Sequence, residues 1–419
     1  MSSYYPYMDV LMPWLFDRVI LGFLRFGAES SKEPVVASRA SVKDANGPPP
    51  RLPPELLDCI LSHLASSLDA DYADAREAYT ARRATFKTCA LVHRSWTPLA
   101  RRFLHEKLRL TGWLDAHLRC FTAQHLVGTR VCTLVVDLEN ADPRMVTLVP
   151  AVVRACPNVE VLGLLNVSMA WLEDLEKLKN LRRLHLRNTS LATHYSPSSL
   201  PSFLSVQYLS LHQSHLPYYT EATQTQLLQR LFPSLTALDL LNSTPFIASK
   251  LSHLRHLSLY DAWLHASMSR TASTGEVPSF APPSLDTLSV TPSTLADCLD
   301  LLAASGLRHS VRRLRIERRP VERTLPLSAS LAAERAGYVS LARGLREGAE
   351  NPLLAAVEEV VLPALVVMDP TFRAAVRQVF EACKERGVKV VYYEAEEESE
   401  GRSRANASEF RTGFWREVE

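Results

Sequence analysis

One phrase returns along most of this chain, and it limits the fold more than any other feature. It is a short opening followed by Leu-x-x-Leu-x-Leu, or the same pattern with β-branched residues. The clear instances are TRVCTLVVDLEN, PNVEVLGLLNV, LKNLRRLHLRNT, FLSVQYLSLHQS, FPSLTALDLLNS, LSHLRHLSLYDA, PPSLDTLSVTP and HSVRRLRIERR, and two weaker ones are LAAVEEVVLPA and RGVKVVYYEA. Their middle apolar residues are Leu134, Leu162, Leu184, Leu209, Leu238, Leu257, Leu288, Leu314, Val360 and Val391. These markers lie 19 to 31 residues apart, save one gap of 46 after Leu314.

Alternation over Leu-x-Leu makes a short strand whose leucines turn to one side, and one strand per unit builds a parallel sheet. Between the markers, MVTLVPAVVRAC, MAWLEDLEKL, TQTQLLQRLF, TLADCLDLLAASG and PTFRAAVRQVFEACKERG read as partly helical returns. SLAAERAGYVSLARGLREGAE fills the long gap as an inserted helix. No unit can bury its own apolar side, so the units must stack. An ordinary α/β sheet is the alternative, because strand–helix alternation looks much the same in short windows. Ten similarly phrased strands weigh against it.

Ahead of the repeats stands a different unit, RLPPELLDCILSHL at 51 to 64. Pro53 and Pro54 suit a helix mouth, where their missing amide hydrogens would have had no partner. Glu55 in the first turn favours the positive helix end. Leu56, Leu57, Ile60, Leu61 and Leu64 recur as an apolar face, with Leu52 placed to fold back as a staple. Downstream, Tyr72 to His93 has no Pro or Gly and reads as a long helix, with Leu91, Val92 and Trp96 as its apolar anchors. Pro98 opens a further short helix carrying Leu99, Phe103 and Leu104. About three helices in about sixty residues bury their apolar side poorly unless a neighbour covers it.

The two ends of this unit resemble an F-box domain. The opening Leu-Pro-x-Glu-Leu-Leu-x-x-Ile-x-x-x-Leu matches at Leu52, Pro53, Glu55, Leu56, Leu57, Ile60 and Leu64, and the closing part at Leu91, Val92, Trp96, Leu99 and Ala100. His93-Arg94 stands where the family usually has Cys-Lys or Cys-Arg, and about ten to fifteen extra residues separate the halves, an insertion whose loop-closure cost is small. The resemblance implies docking onto the small adaptor subunit of cullin–RING ubiquitin ligases through Leu52, Pro53, Leu56, Leu57 and Ile60. Leu64, Leu91, Val92, Trp96 and Leu99 would then form the core of the module.

Residues from about 126 to 393 resemble the leucine-rich repeat proteins, whose unit length is about 20 to 29 residues. Many units lack the regular asparagine at the turn, so the array is irregular. The implied fold class is α/β, a small F-box-like helical module followed by an irregular leucine-rich repeat solenoid, with parallel strands on the concave side and helices outside. The expected divisions are an amphipathic segment at 1–26, a linker at 27–50, the helical module at 51–110, the repeats at 111–393 and an acidic, polar tail at 394–419. The order of F-box and repeats is that of substrate-receptor subunits.

Residues flanking the inward leucines line the other side of the sheet. They make a polar, somewhat basic surface, in which Arg183, His185, Arg187, His212, His256, Tyr260, Arg313 and Arg315 are the candidate contacts for a protein substrate, since Arg and Tyr favour binding hot spots. Such a face must be polar in water whatever its role. No phosphate loop, nucleophile elbow or HExxH is present, and the three histidines sit in separate repeats, so no enzyme, cofactor or metal is expected. Two functions stay open, a substrate receptor or a scaffold with no ligase attached.

A net charge of +2 offers no field for nucleic acid or an anionic membrane. Seven scattered cysteines without a CxxC fit a reducing, intracellular compartment, cytoplasmic or nuclear. The aromatic opening MSSYYPYMDVLMPWLFDRVILGFLRFG has too short an uncharged run to span a bilayer and lacks a secretory cleavage pattern. It reads as a helix docked on the protein, a membrane- or partner-facing helix, or a disordered segment.

Overall fold

The computed structural model describes residues 53–71, 75–112, 114–123, 125–139, 141–196, 198–214, 216–217, 224–241, 251, 253–260, 284–292, 295, 311–317, 327–348, 354–363 and 369–393. The expected amphipathic segment, linker and acidic tail lie outside them, as does Leu52.

Three helices open the described chain: α1 (Pro54–Asp71), α2 (Ala75–Val92) and α3 (Thr97–Glu106). Leu57, Leu61, Leu64 and Ala65 recur at helical spacing on α1 and pack with Phe86, Cys89, Ala100 and Phe103, while Trp96 and Leu99 pack at the border of this cluster. The Phe86 and Phe103 rings stack with centroids 5.3 Å apart. Arg82 is buried among the three helices, and its guanidinium donates to Glu106 Oε2 at 2.9 Å and to the carbonyls of Ala65 and Phe103 at 3.4 Å. Most residues between Leu64 and Leu91 lie in α1 and α2, which run to Asp71 and from Ala75.

α3 passes into strand β1 (Lys107–Leu110) with no intervening residue. Eleven strands then lie side by side in chain order, all parallel: β1, β2 (Thr133–Asp137), β3 (Val161–Leu165), β5 (Arg183–Arg187), β7 (Tyr208–His212), β8 (Ala237–Leu241), β9 (His256–Tyr260), β10 (Thr287–Val290), β11 (Arg313–Ile316), β12 (Glu359–Pro363) and β13 (Lys389–Tyr393). The short pair β4 (Met169–Trp171) and β6 (Ser190–Ala192) forms a second parallel sheet. MAWLEDLEKL therefore supplies a strand and a single helical turn, Leu172–Leu175, in place of a helical return.

The repeated phrase accounts for the stack. Leu134, Leu162, Leu184, Leu209, Leu238, Leu257, Leu288, Leu314 and Val360 are register partners from strand to strand. Leu108 continues the column in β1, inside the range expected for the helical module. At the other end the column ends on Val390, because Val360 pairs with Val390 and Val391 faces the opposite way. The run Val390-Val391-Tyr392-Tyr393 is apolar on both sides, so it carries no alternation to set its phase.

The residues before each strand turn the chain into register. A bond from residue i+3 to residue i closes this turn at Val131 and Gly128, Leu181 and Leu178, Val206 and Phe203, Leu235 and Phe232, Leu254 and Leu251, and Val357 and Leu354. The carbonyl just ahead of the strand then accepts two N–H groups from the next pass. Cys132 O takes Glu160 N at 2.8 Å and Val161 N at 3.1 Å, and the same doubling recurs at Glu160, Arg182, Gln207, Thr236, Arg255, Asp286 and Arg312.

Connections fill the leucine side. Apolar residues of α4 (Leu114–Ala123), α5 (Val149–Ala155), α6 (Gln224–Leu231), α7 (Leu327–Glu347) and α8 (Arg373–Arg386) join the leucine column in one cluster. α7 is the helix expected in the long gap, and Gly337 lets it approach the Pro292 backbone where any Cβ would collide. α8 ends on Gly387 at φ 70°, with Val388 N donating to Cys383 O at 2.8 Å. Among the described residues, no helix is long and apolar enough to cross a membrane.

Leu209 is walled by Leu184 and Leu238, so Leu209→Ala should cost about 2–5 kcal/mol in urea unfolding. Val390→Ala, at the half-buried last position of the column, should cost less in the same measurement.

Candidate interaction faces

On the helical module, the apolar stripe of α1 is wider than its core requires. Leu57 is buried against α2 and α3, so it is a core residue and not the partner contact expected from the sequence. One position earlier, about 100° round the helix, Leu56 is 47% exposed. Ile60, one turn on, is half-buried, and Pro53, ahead of the helix in sequence, is exposed. Leu91 and Val92 also depart from expectation, being 86% and 52% exposed instead of lying in the core. The inward side of α2 is set by Arg82, Phe86 and Cys89, and Leu91 lies about 200° round the axis from Cys89. Leu64 is buried as expected, and Trp96 and Leu99 border the cluster. Leu56, Leu91 and Val92 thus leave this module with apolar side chains its own core does not cover.

The second face is the side of the sheet away from the leucines, and its residues fall in three rows. The middle row runs Arg109, Val135, Gly163, His185, Ser210, Asp239, Ser258, Ser289, Arg315, Val361, Val391. Its polar members are all buried. His185 and Arg315 in this row, and His212 in the row beyond it, are expected from the sequence to meet a substrate, but all three are buried and not open to one. His212 Nε2 lies 2.7 Å from Asp239 Oδ2, which also accepts from Ser210 Oγ at 3.2 Å. Arg315 Nε lies 3.2 Å from Glu317 Oε1, to which Ser289 also donates at 3.2 Å. Asp239 and Glu317 thus each hold two buried polar neighbours on this side of the sheet.

The outer rows hold the accessible candidates. Arg183 is half-buried with its guanidinium 4.8 Å from the centre of the Tyr208 ring, and Arg187 and His256 are half-buried too. Arg313 is half-buried and ion-paired to Glu359 at 2.7 Å, a carboxylate shared with Lys389 at 3.0 Å. Tyr260 lies in β9, but its side chain is outside the described residues. At the N-terminal end of the sheet, Arg109 Nη2 donates to Asp137 Oδ2 at 2.7 Å, Asn166 Nδ2 to Asp137 Oδ1 at 3.0 Å, and Asn188 Nδ2 to Asn166 Oδ1 at 2.8 Å. Asn166, Asn188 and Gln213 follow β3, β5 and β7 with φ of 57°, 47° and 50°, the left-handed region in which asparagine is better tolerated than most residues.

Reactive groups are subdued. Burial pushes the Cys156 thiol up to about 12 and that of Cys383 to about 11, which leaves both protonated and unreactive. Among the described residues, no group of three or more His, Cys, Asp or Glu could hold a metal ion. His185 and His212 are offset along neighbouring strands, and His256 lies two strands beyond His212 in another row. No family model matches the chain, and no curated protein matches it.

Burial, with the nearby His212 as the next cause, pushes the His185 pKa down from 6.5 to about 3, against a smaller opposing pull from Asp239. The unfolded chain therefore binds the extra proton first. This contribution to stability should be complete above pH 6.5 and fade as pH falls toward 3. Chemical denaturation across that range should show the slope, and His185→Gln should flatten it. The His185 ring resonances should stay those of the neutral imidazole down to pH 4.

Proposed function

We propose that this chain is a non-enzymatic substrate receptor of a cullin–RING ubiquitin ligase, an F-box module on an irregular leucine-rich repeat array. The adaptor docks on the helical module and a protein substrate on the polar side of the strands. The ligase's other subunits perform ubiquitin transfer, and this chain holds the substrate within their reach.

The observation that carries this reading is a three-helix module whose apolar residues exceed its core, joined without a linker to eleven parallel strands in chain order. Unbroken chain order suits stacked repeats better than a doubly wound sheet, in which strand order reverses at the ligand crevice. Leu56 and Ile60 remain of the expected adaptor contacts on α1, and Leu91 and Val92, expected in the core, add exposed apolar side chains to the module; Leu52 and Pro53, which precede them in sequence, belong to the same motif. Arg183, Arg187 and Arg313, with the imidazole of His256, are the half-buried candidates of the substrate side.

A second reading has its own support. α2 and α3 pack beside β1, the first strand of the sheet, so the helices also serve as the cap a stacked sheet needs at its end. In that case the chain is a scaffold that needs no adaptor.

A pull-down of the full-length protein with purified adaptor separates the two. The receptor reading expects binding, and a loss of at least tenfold in Leu56→Asp and in Leu91→Asp, both exposed positions whose replacement spares the core. Absence of binding by the unaltered chain, or binding untouched by both changes, would leave the cap as the module's only role.

A further inference from the structure

The chain has four Ser-Pro or Thr-Pro dipeptides, at Thr97, Ser196, Thr244 and Thr291. Thr244 lies outside the described residues. Thr97 starts α3, and its hydroxyl donates to Ala90 O at 2.8 Å. Thr291 is buried. Ser196 differs from both. It is exposed, it lies in the irregular stretch between β6 and β7, and its Oγ meets only other exposed hydroxyls, those of Ser198 and Ser199, each at 2.9 Å. A kinase reads a short extended segment that can enter its cleft, so loop serines qualify where helical or buried threonines do not.

The charges on the two sides of Ser196 are of opposite sign. Glu173 Oε1 accepts from Thr193 Oγ1 at 2.9 Å and from His194 N at 2.6 Å, and Glu176 Oε2 accepts from the Tyr195 hydroxyl at 3.0 Å. These carboxylates hold the chain just ahead of Ser196. Just after it, the guanidinium of Arg230 on α6 donates to the carbonyl of Ser198. A group of charge about −1.5 to −2 on Ser196 is repelled by the first pair and drawn to the second side.

We propose that Ser196 is the phosphorylation site of a proline-directed serine/threonine kinase and that Arg230 receives the phosphate. Ser196 Oγ bonds to the γ-phosphorus of a nucleoside triphosphate, and the bond to the β-phosphate oxygen breaks. The hydroxyl proton passes to the kinase's base, and the nucleoside diphosphate departs. The phosphate replaces the hydroxyl cluster with charge-assisted bonds to the Arg230 guanidinium, tying the loop between β6 and β7 to α6.

The test uses the full-length protein, a proline-directed kinase and magnesium ATP, with the modified residues mapped by mass spectrometry. Native chain should be modified at Ser196, and Ser196→Ala or Pro197→Ala should abolish that signal, with Thr97 and Thr291 modified only after denaturation. Native chain left unmodified at Ser196 while the denatured chain accepts phosphate there, or native modification of Thr291 in its place, would overturn the site. For the partner, phosphorus NMR of the modified protein should show a phosphate whose second ionisation falls at lower pH than in Arg230→Gln. Equal titration in the two proteins would remove Arg230 from the proposal.

Discussion

The structure hangs on a doubled backbone hydrogen bond. One carbonyl ahead of each strand accepts two N–H groups from the next pass, and this repeats from Cys132 to Arg312 without a gap. Each new pass is thereby fixed at the residue before its strand and at the strand's first residue. Register follows at once, and with it the side on which every leucine falls. A slip of one residue would carry the whole column from core to solvent. The leucines supply the free energy, about 1.5–3 kcal/mol for each fully buried side chain, and the doubled bonds direct it to one arrangement.

Passes of unequal length still meet the same ladder. The spacing of the markers varies from 19 to 46 residues, yet each strand enters in register with its neighbour. Length is absorbed away from the ladder, as in α7, which occupies the longest gap. The Gly337 contact with the Pro292 backbone shows the limit of that freedom, since the inserted helix must still reach the preceding pass. Variation is cheap in the returns and costly at the turn before each strand.

The leucine column was legible in the sequence because its alternation is strong, and the residues on the other side of the sheet followed from it. The sequence could not show which of those residues water would reach. His185, His212 and Arg315 look like ligands in a list of polar residues, but the first is buried, and Asp239 and Glu317 on the same face pair with the other two, a pairing that exists only once the strands are aligned. The missed strand β1 has a similar cause, since KLRL continues a helix without a break and lacks a turn signal. On α2, Leu91 and Val92 matched a motif position but not the inward side, which Arg82, Phe86 and Cys89 define. Ser196 carried a sequence signal, the proline that follows it, but only the fold separates it from Thr97 and Thr291.

The direct passage from α3 into β1 has a geometric consequence. With no hinge residue between them, the helical module cannot swing independently of the first strand. Each further strand adds about 4.8 Å, so ten steps carry β13 about 48 Å from β1 along the sheet. The chain acts as a graduated ruler, on which a residue's place in the repeat order sets its distance from the helices. Anything held near β5 lies a fixed short span from the module, and anything held near β11 a fixed long one.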